Sequence, residues 1–401
     1  MSEVEAPTFR PQLLELARLF LKLGTVAFGG PAAHIGMMEE EVVRRRGWLT
    51  HAEFLDMLGA TNLIPGPNST ELALHIGSTR AGWRGMIVAG FCFIVPATLI
   101  VGGLAWAYTR FGTLPAASGV LRGVQPVVIA IVAQALLNLA RTALRSTGLA
   151  ALAVAATAAA AAGVNELAIL AAAGAGYALF RQAVSLRRRG GAGGLAGALA
   201  AAPHLPRWLS RAGATSLLVA GTLAAVPFSL WRLFGVFAKI GSVLFGSGYV
   251  LLAFLRADFV QRLGWLNERQ LLDAVAVGQI TPGPVFTTAT FIGYLLGGVS
   301  GAAVATTAIF LPAFVFVALS AVLLPRLRRS SIAAAVLDGV NVASLALMAV
   351  VTWQLGNAAL VGWLSLAICS ISVILLLRFR VPSTWLVLGG AAIGLISSLA
   401  P

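Results

Sequence analysis

Apolar runs of bilayer-spanning length alternate along the chain with short loops that carry most of its charge. Residues 86–107 and 331–351 are two such runs, each matching the roughly 20 residues a transmembrane helix needs. Residues 12–30 form an earlier helical run ending in Phe28-Gly29-Gly30-Pro31, and Thr50 caps another that reaches Ile64. There Pro65-Gly66-Pro67 breaks the helix, because proline removes a backbone donor and glycine permits a sharp turn. Residues 68–79 resume it, and apolar segments at 86–108, 119–140, 147–163 and 166–180 follow.

The pattern then repeats. Phe20-x-Lys22-x-Gly24-x-x-x-Phe28-Gly29 returns 217 residues later as Phe237-x-Lys239-x-Gly241-x-x-x-Phe245-Gly246. Gly47-Trp48-Leu49 returns as Gly264-Trp265-Leu266, and the break returns as Pro282-Gly283-Pro284. Past the break one residue is lost, and Gly85/Gly301, Pro96/Pro312 and Gly123/Gly339 keep an offset of 216. The expected organisation is an N-terminal repeat over 12–186, a basic Gly/Ala-rich linker over 187–213, a connecting span over 214–231, and a C-terminal repeat over 232–401.

Loop charge sets the relative orientation of the halves. Arginines mark the first-half loops at Arg80/Arg84, Arg141/Arg145 and Arg181/Arg187, whereas the second-half equivalents of the first two, 297–300 and 356–362, are uncharged. The second half carries its arginines at Arg326/Arg328/Arg329 and Arg378/Arg380, in loops whose first-half equivalents are poor in them. By the positive-inside rule the two repeats have inverted topology. The span over 214–231 supplies the odd crossing that inversion requires. With Arg44, Arg45, Arg46, Arg80 and Arg84 on one side, the segments between them become re-entrant hairpins. A single broken helix crossing the bilayer is the alternative, and in both readings Pro65-Gly66-Pro67 ends near mid-membrane.

Composition agrees with an all-α integral membrane protein: of 401 residues 59% are hydrophobic and 10% charged, against about 25% charged in soluble chains. The net charge of +14 sits in short loops beside apolar spans, where it orients the chain in the lipid bilayer; no aromatic-interleaved basic patch points to nucleic acid. Cys92 and Cys369 lie inside apolar runs and read as small buried residues. Residues 1–11 lack the basic-then-apolar pattern of a cleaved signal. No phosphate-binding loop, metal-ligand cluster or nucleophile–base pair is visible, so neither an enzyme nor a cofactor or metal is expected.

Irregular backbone at membrane depth is tolerated only where protein or a polar cavity satisfies it. A helix restarting beside such a cavity presents free N–H groups and a positive dipole end, which suits an anion. Pro31, Pro65, Gly66, Pro67, Pro282, Gly283 and Pro284 are therefore expected as helix breaks. Gly29, Gly30, Asn68, Ser69, Thr70, Gly246, Ser247, Thr287 and Thr288 are expected at the anion, unless the breaks serve packing alone. Lys22 and Lys239 share one repeat position and read either as snorkelling residues or as paired cations at the site. Arg122 and Asp338 share another, and read as an ion pair across the pseudo-twofold or, for Arg122, as a substrate contact. Glu71 and His75 lie one helical turn apart beyond the first break and have no ionisable counterparts, which makes them, with His34, the candidates for proton coupling. Glu40–Arg44 is an i,i+4 pair of an interfacial stretch, and His51 and His204 read as loop residues.

Phe28-Gly29-Gly30-Pro31-Ala32-Ala33-His34-Ile35, the Gly-Trp-Leu turns, the doubled Pro-Gly-Pro and the duplication itself resemble the chromate ion transporter family over nearly the whole chain. That resemblance implies export of chromate, a tetrahedral dianion, across the bacterial inner membrane, driven by the proton motive force and conferring chromate resistance. Uptake or exchange of sulfate or a related oxyanion is the alternative within transport; a membrane scaffold or sensor subunit is the alternative outside it. The oligomeric state, a homodimer included, stays open. Reporter fusions after Arg145 and after Arg329 are expected to report the same, cytoplasmic, side; opposite sides would refute the inversion.

Overall fold

The computed structural model describes residues 9–28, 30–112, 114–189, 227–245 and 248–399. The 190–213 part of the expected linker and the 214–226 part of the expected connecting span lie outside them, as do Gly29, His204, Gly246 and Ser247. Among the described residues the protein is helical and has no strand.

Among the described residues the first half supplies seven helices: α1 (Phe9–Val26), α2 (Gly30–Glu39, continued by a π-helical turn, Glu40–Arg45), α3 (His51–Thr61), α4 (Asn68–Phe111), α5 (Pro115–Ala143), α6 (Thr147–Ala161) and α7 (Glu166–Arg189). The second half repeats them as α8 (Leu230–Val243), α9 (Leu251–Leu255, with a π-helical Arg256–Arg262), α10 (Glu268–Ile280), α11 (Thr288–Arg329), α12 (Ser331–Ala359), α13 (Trp363–Arg378) and α14 (Ser383–Leu399). A short 3-10 turn, Gly248–Val250, precedes α9, and another, Val285–Thr287, precedes α11. Five of these segments are long and apolar enough to cross a membrane. The chain is a multi-pass membrane protein.

Capping chemistry places the starts of α3 and α10. Thr50 accepts from the Glu53 N–H while Glu53 accepts from the Thr50 N–H; Asn267 and Gln270 form the same reciprocal box. Such a box satisfies two of the N–H groups that a helix start leaves open. The Gly-Trp-Leu turn just before each box is packed in two ways: Trp48 lies within 5.0 Å of the guanidinium carbons of both Arg46 and Arg80, whereas Trp265 packs on Phe228 and Phe259.

With 44 residues, a straight α4 would span about 66 Å, over twice the hydrocarbon thickness. It is not straight. At Ala81 (φ −146°, ψ 31°) and Gly82 (φ 60°, ψ −152°) the helix folds back on itself. α11 does the same at Gly297 (φ −146°, ψ 21°) and Gly298 (φ 61°, ψ −147°), so the two breaks match within about 10°. The positive φ requires glycine at the second position. In the fold-back Gly77 lies against Gly85, and Gly293 against Gly301, backbone to backbone. Short arms of α4 and α11 therefore run from the Pro-Gly-Pro breaks to the fold-backs, and long arms return.

Packing follows the repeat. α1 packs on α4, and α8 on α11. α4 meets α11 and α5 meets α12 between the halves, and the last helix of each half is exchanged, α14 packing on α5 and α7 on α12. Those exchanged contacts close on glycine: Gly123 against Gly390 and Gly394, and Gly339 against Ala173 and Gly174. Gly77→Ala is expected to lower stability by about 1–3 kcal/mol, because its methyl group meets the Gly85 carbonyl with no room to move. Gly102→Ala, where nothing lies within 4 Å, is the control, and thermal unfolding in detergent distinguishes them.

Candidate functional site

The two Pro-Gly-Pro breaks are tied to each other's repeat. The Gly66 N–H donates to the Leu244 carbonyl at 2.8 Å, and the Gly283 N–H donates to the Ala27 carbonyl at 2.9 Å. Ala27 and Leu244 follow the last residues of α1 and α8, where helix ends leave carbonyls without intrahelical partners. Each break thus uses its one donor between two prolines to satisfy a helix end in the other half. Both glycines have positive φ, 141° at Gly66 and 88° at Gly283.

Ala27 receives a second donor. His34, 1% exposed, places Nε2 3.0 Å from the Ala27 carbonyl and Nδ1 3.3 Å from the Ser69 hydroxyl. A carbonyl only accepts, so Nε2 carries the proton and Nδ1 is left to accept from Ser69. The repeat equivalent of His34 is Leu251, so this arrangement exists once.

Between the breaks lies a cavity of about 50 Å³ whose lining includes Pro31, Asn68, Ser69, Gly248, Val285 and Phe286. These are three pairs of repeat-equivalent positions, 31/248, 68/285 and 69/286, so both repeats contribute the same positions to the lining. One wall is polar, the start of α4; the other is apolar, the turn before α11. Thr70 is buried with its hydroxyl unpartnered among the described residues. In the second half Thr287 and Thr288 spend their hydroxyls on the carbonyls of Pro284 and Val285, both at 2.8 Å, the back-bonding that short hydroxyl side chains favour.

Glu71 is fully buried one turn into α4, and neither of its carboxyl oxygens has a partner among the described residues. Oε1 lies against Gly66, where any side chain would collide with it. His75 is half-buried a turn further on.

Lys22 and Lys239 meet carboxylates: Lys22 Nζ is 2.7 Å from Glu41 Oε1, and Lys239 Nζ is 2.6 Å from Asp258 Oδ1. Glu41 and Asp258 are themselves 217 residues apart, and each takes further arginines, Arg45 and Arg46 on one side and Arg262 on the other. The lysine charge is therefore matched within each repeat, 19 residues along the chain, and neither lysine lines the central cavity. The expected Arg122–Asp338 pair does not form. Asp338 pairs with Arg181 at 3.6 Å, and Arg122 lines a separate cavity of about 450 Å³ together with Gln125 and Arg269. The Glu40–Arg44 pair is present at 3.6 Å, and His51 sits at the start of α3, 3.2 Å from Glu39.

Two buried carboxylates were missed by reasoning from residues alone. Asp258 is one. The other is Asp273, 1% exposed, which accepts from the Tyr108 hydroxyl and the Gln125 amide, both at 2.8 Å. The repeat offset was the available signal: Glu41/Asp258 and Asp56/Asp273 are acidic at both copies.

A family model described as Chromate transporter matches the chain twice, over residues 14–178 and 231–395, again 217 residues apart. The chain is 34% identical over 401 residues to the "Chromate transport protein" of Cupriavidus metallidurans, covering 98% of this chain and 94% of that one. It is 32% identical to the "Probable chromate transport protein" of Synechococcus elongatus, covering 87% and 86%, and 33% identical to the "Chromate transport protein" of Pseudomonas aeruginosa, covering 78% and 73%. No solved structure matches.

The Lys22–Glu41 pair predicts a pH dependence. The Lys22 hydrogen bond, aided by Arg46, holds the Glu41 carboxyl below its usual 4.5. A lowered folded-state value adds stability that is present in full above 4.5 and is lost as pH falls from there through the lower, folded-state value. Glu41→Gln is expected to unfold earlier than the parent at pH 7 and to match it in strong acid; unfolding midpoints across pH in detergent check this.

Proposed function

This chain belongs to the chromate transporter family, and we propose that it is a secondary transporter exporting chromate across the bacterial inner membrane, driven by the proton motive force. The observation that carries the mechanism is the reciprocal closure of the two Pro-Gly-Pro breaks around one small cavity lined by equivalent positions of both repeats. Swapped arginine loops, matched fold-backs and the exchanged hydrogen bonds all support two inverted repeats whose broken helices enter the membrane and return. Inverted repeats with broken helices at the midplane are a recurring plan of secondary transporters.

In this reading the dianion occupies the central cavity against the start of α4. The N–H groups at the start of that helix and the Asn68 amide provide donors, the single Ser69 hydroxyl proton being given to His34, and the helix dipole provides positive potential. The second repeat contributes shape through Val285 and Phe286, its threonine hydroxyls being engaged. The lysines hold α2 and α9 in place through Glu41 and Asp258 and act on the anion only at long range. Glu71 carries the proton: ionised, it is a negative charge two residues beyond the Ser69 of the cavity wall and disfavours a dianion, and protonated it does not. Proton and anion occupancy are then positively linked, so the two leave together, and the electrical part of the proton motive force, acting on their net negative charge, drives export. An inside-negative potential favours outward movement of a dianion with one accompanying proton by about 2.3 kcal/mol per 100 mV.

The test is chromate flux in proteoliposomes with an imposed pH gradient. Glu71→Gln is expected to keep flux driven by the chromate gradient and to lose its dependence on the pH gradient. Full retention of that dependence would exclude Glu71 as the proton carrier. Added sulfate in the same vesicles measures selectivity among tetrahedral dianions.

A further inference from the structure

A second cavity, of about 340 Å³, lies between α5 and α12 and is lined by Asn62, Thr142, Arg145, Val250, Asn341 and Ser344, among others. It is the repeat counterpart of the Arg122 cavity: residues 142, 143 and 145 correspond to 358, 359 and 361, and 338 and 341 to 122 and 125. The two differ in what their polar groups are doing. Gln125 of the Arg122 cavity gives its amide to Asp273. Its equivalent here, Asn341, has a buried side-chain oxygen with no partner among the described residues, and so does the Ser344 hydroxyl, in a residue 1% exposed. Buried polar atoms left open in this way mark a place where water or a polar ligand belongs. The acid on this wall, Asp338, is matched by Arg181, so Arg145 leaves the cavity net positive.

This cavity shares a wall with the central one. Asn62 lines the larger space and Asn68 the smaller, and the Asn68 amide donates to the Asn62 side-chain oxygen at 2.8 Å. On the opposite side the single 3-10 turn Gly248–Val250 gives Gly248 to one lining and Val250 to the other.

We propose that this cavity is a second oxyanion site, an antechamber in which Arg145, Asn341 and Ser344 hold a tetrahedral dianion before it passes the Asn62–Asn68 pair into the central cavity. The proposal rests on the transport reading above. Arg145 supplies charge and steering at the exposed end. The Ser344 hydroxyl and the Asn341 amide, turned to present its N–H, supply neutral donors further in. Asn62 and Asn68 form a neutral doorway whose mutual hydrogen bond is exchanged for bonds to the passing anion.

Everted vesicles and purified protein provide the test, with chromate as the probe. Arg145→Gln is expected to raise the half-saturating chromate concentration roughly tenfold, as loss of one charge-assisted contact would. Ser344→Ala is expected to raise it about threefold, with the maximal rate retained in both and Arg145→Lys restoring most of the loss. Unchanged half-saturation in both would overturn the antechamber. Equilibrium dialysis of chromate against the parent protein decides the matter independently of how the variants fold: two sites per chain are expected, and one site would overturn the proposal. If the parent protein binds and carries no chromate, the transport reading fails first, and the antechamber with it.

Discussion

A backbone N–H or carbonyl exposed within an apolar layer costs several kcal/mol, and the architecture of this protein is arranged around that cost. The Gly66 and Gly283 N–H groups, each confined between two prolines, bond to the Leu244 and Ala27 carbonyls of the opposite repeat. Neither half can complete its own broken segment. The breaks require each other, and the cavity between them follows from their meeting.

Around that crossing the scaffold is symmetric and the chemistry is not. The fold-backs at Gly82 and Gly298, the capping boxes at Thr50 and Asn267, and the ion pairs Lys22–Glu41 and Lys239–Asp258 occur in both halves. His34, Ser69 and Glu71 face Leu251, Phe286 and a back-bonded Thr288. The lining of the central cavity is asymmetric in consequence, with one polar wall and one apolar wall. The two larger cavities repeat this logic: equivalent in position, they differ in whether their amide and hydroxyl groups are engaged.

Much of this was legible from residues alone. Pro-Gly-Pro is a helix break wherever it stands, because a missing donor and a free glycine are covalent facts, and the 217-residue offset announced two copies of it. Spans, breaks, caps and the duplication were therefore readable, as was the family resemblance. The roles of Lys22, Lys239 and Arg122 were not. A lysine in an apolar run has the same sequence signature whether it faces an anion or a carboxylate, and only the approach of α2 to α1 brought Glu41 to Lys22. Arg122 and Asp338, matched in the repeat, line two separate cavities, and Asp338 meets Arg181 of α7 instead. Asp273, in the second turn of α10, has nothing in its local sequence to announce the Tyr108 and Gln125 that close over it.

The sequence by itself determined where the helices run and where they break, since period, proline, glycine and capping residues act within a few residues of themselves. Tertiary structure alone decided which groups remain open. Whether a hydroxyl, amide or charge is engaged depends on partners distant along the chain, such as His34 for Ser69 and Asp273 for Gln125. Those partners are chosen by helix packing, whose close contacts at Gly77, Gly123 and Gly339 are set by shape in three dimensions rather than by any local pattern.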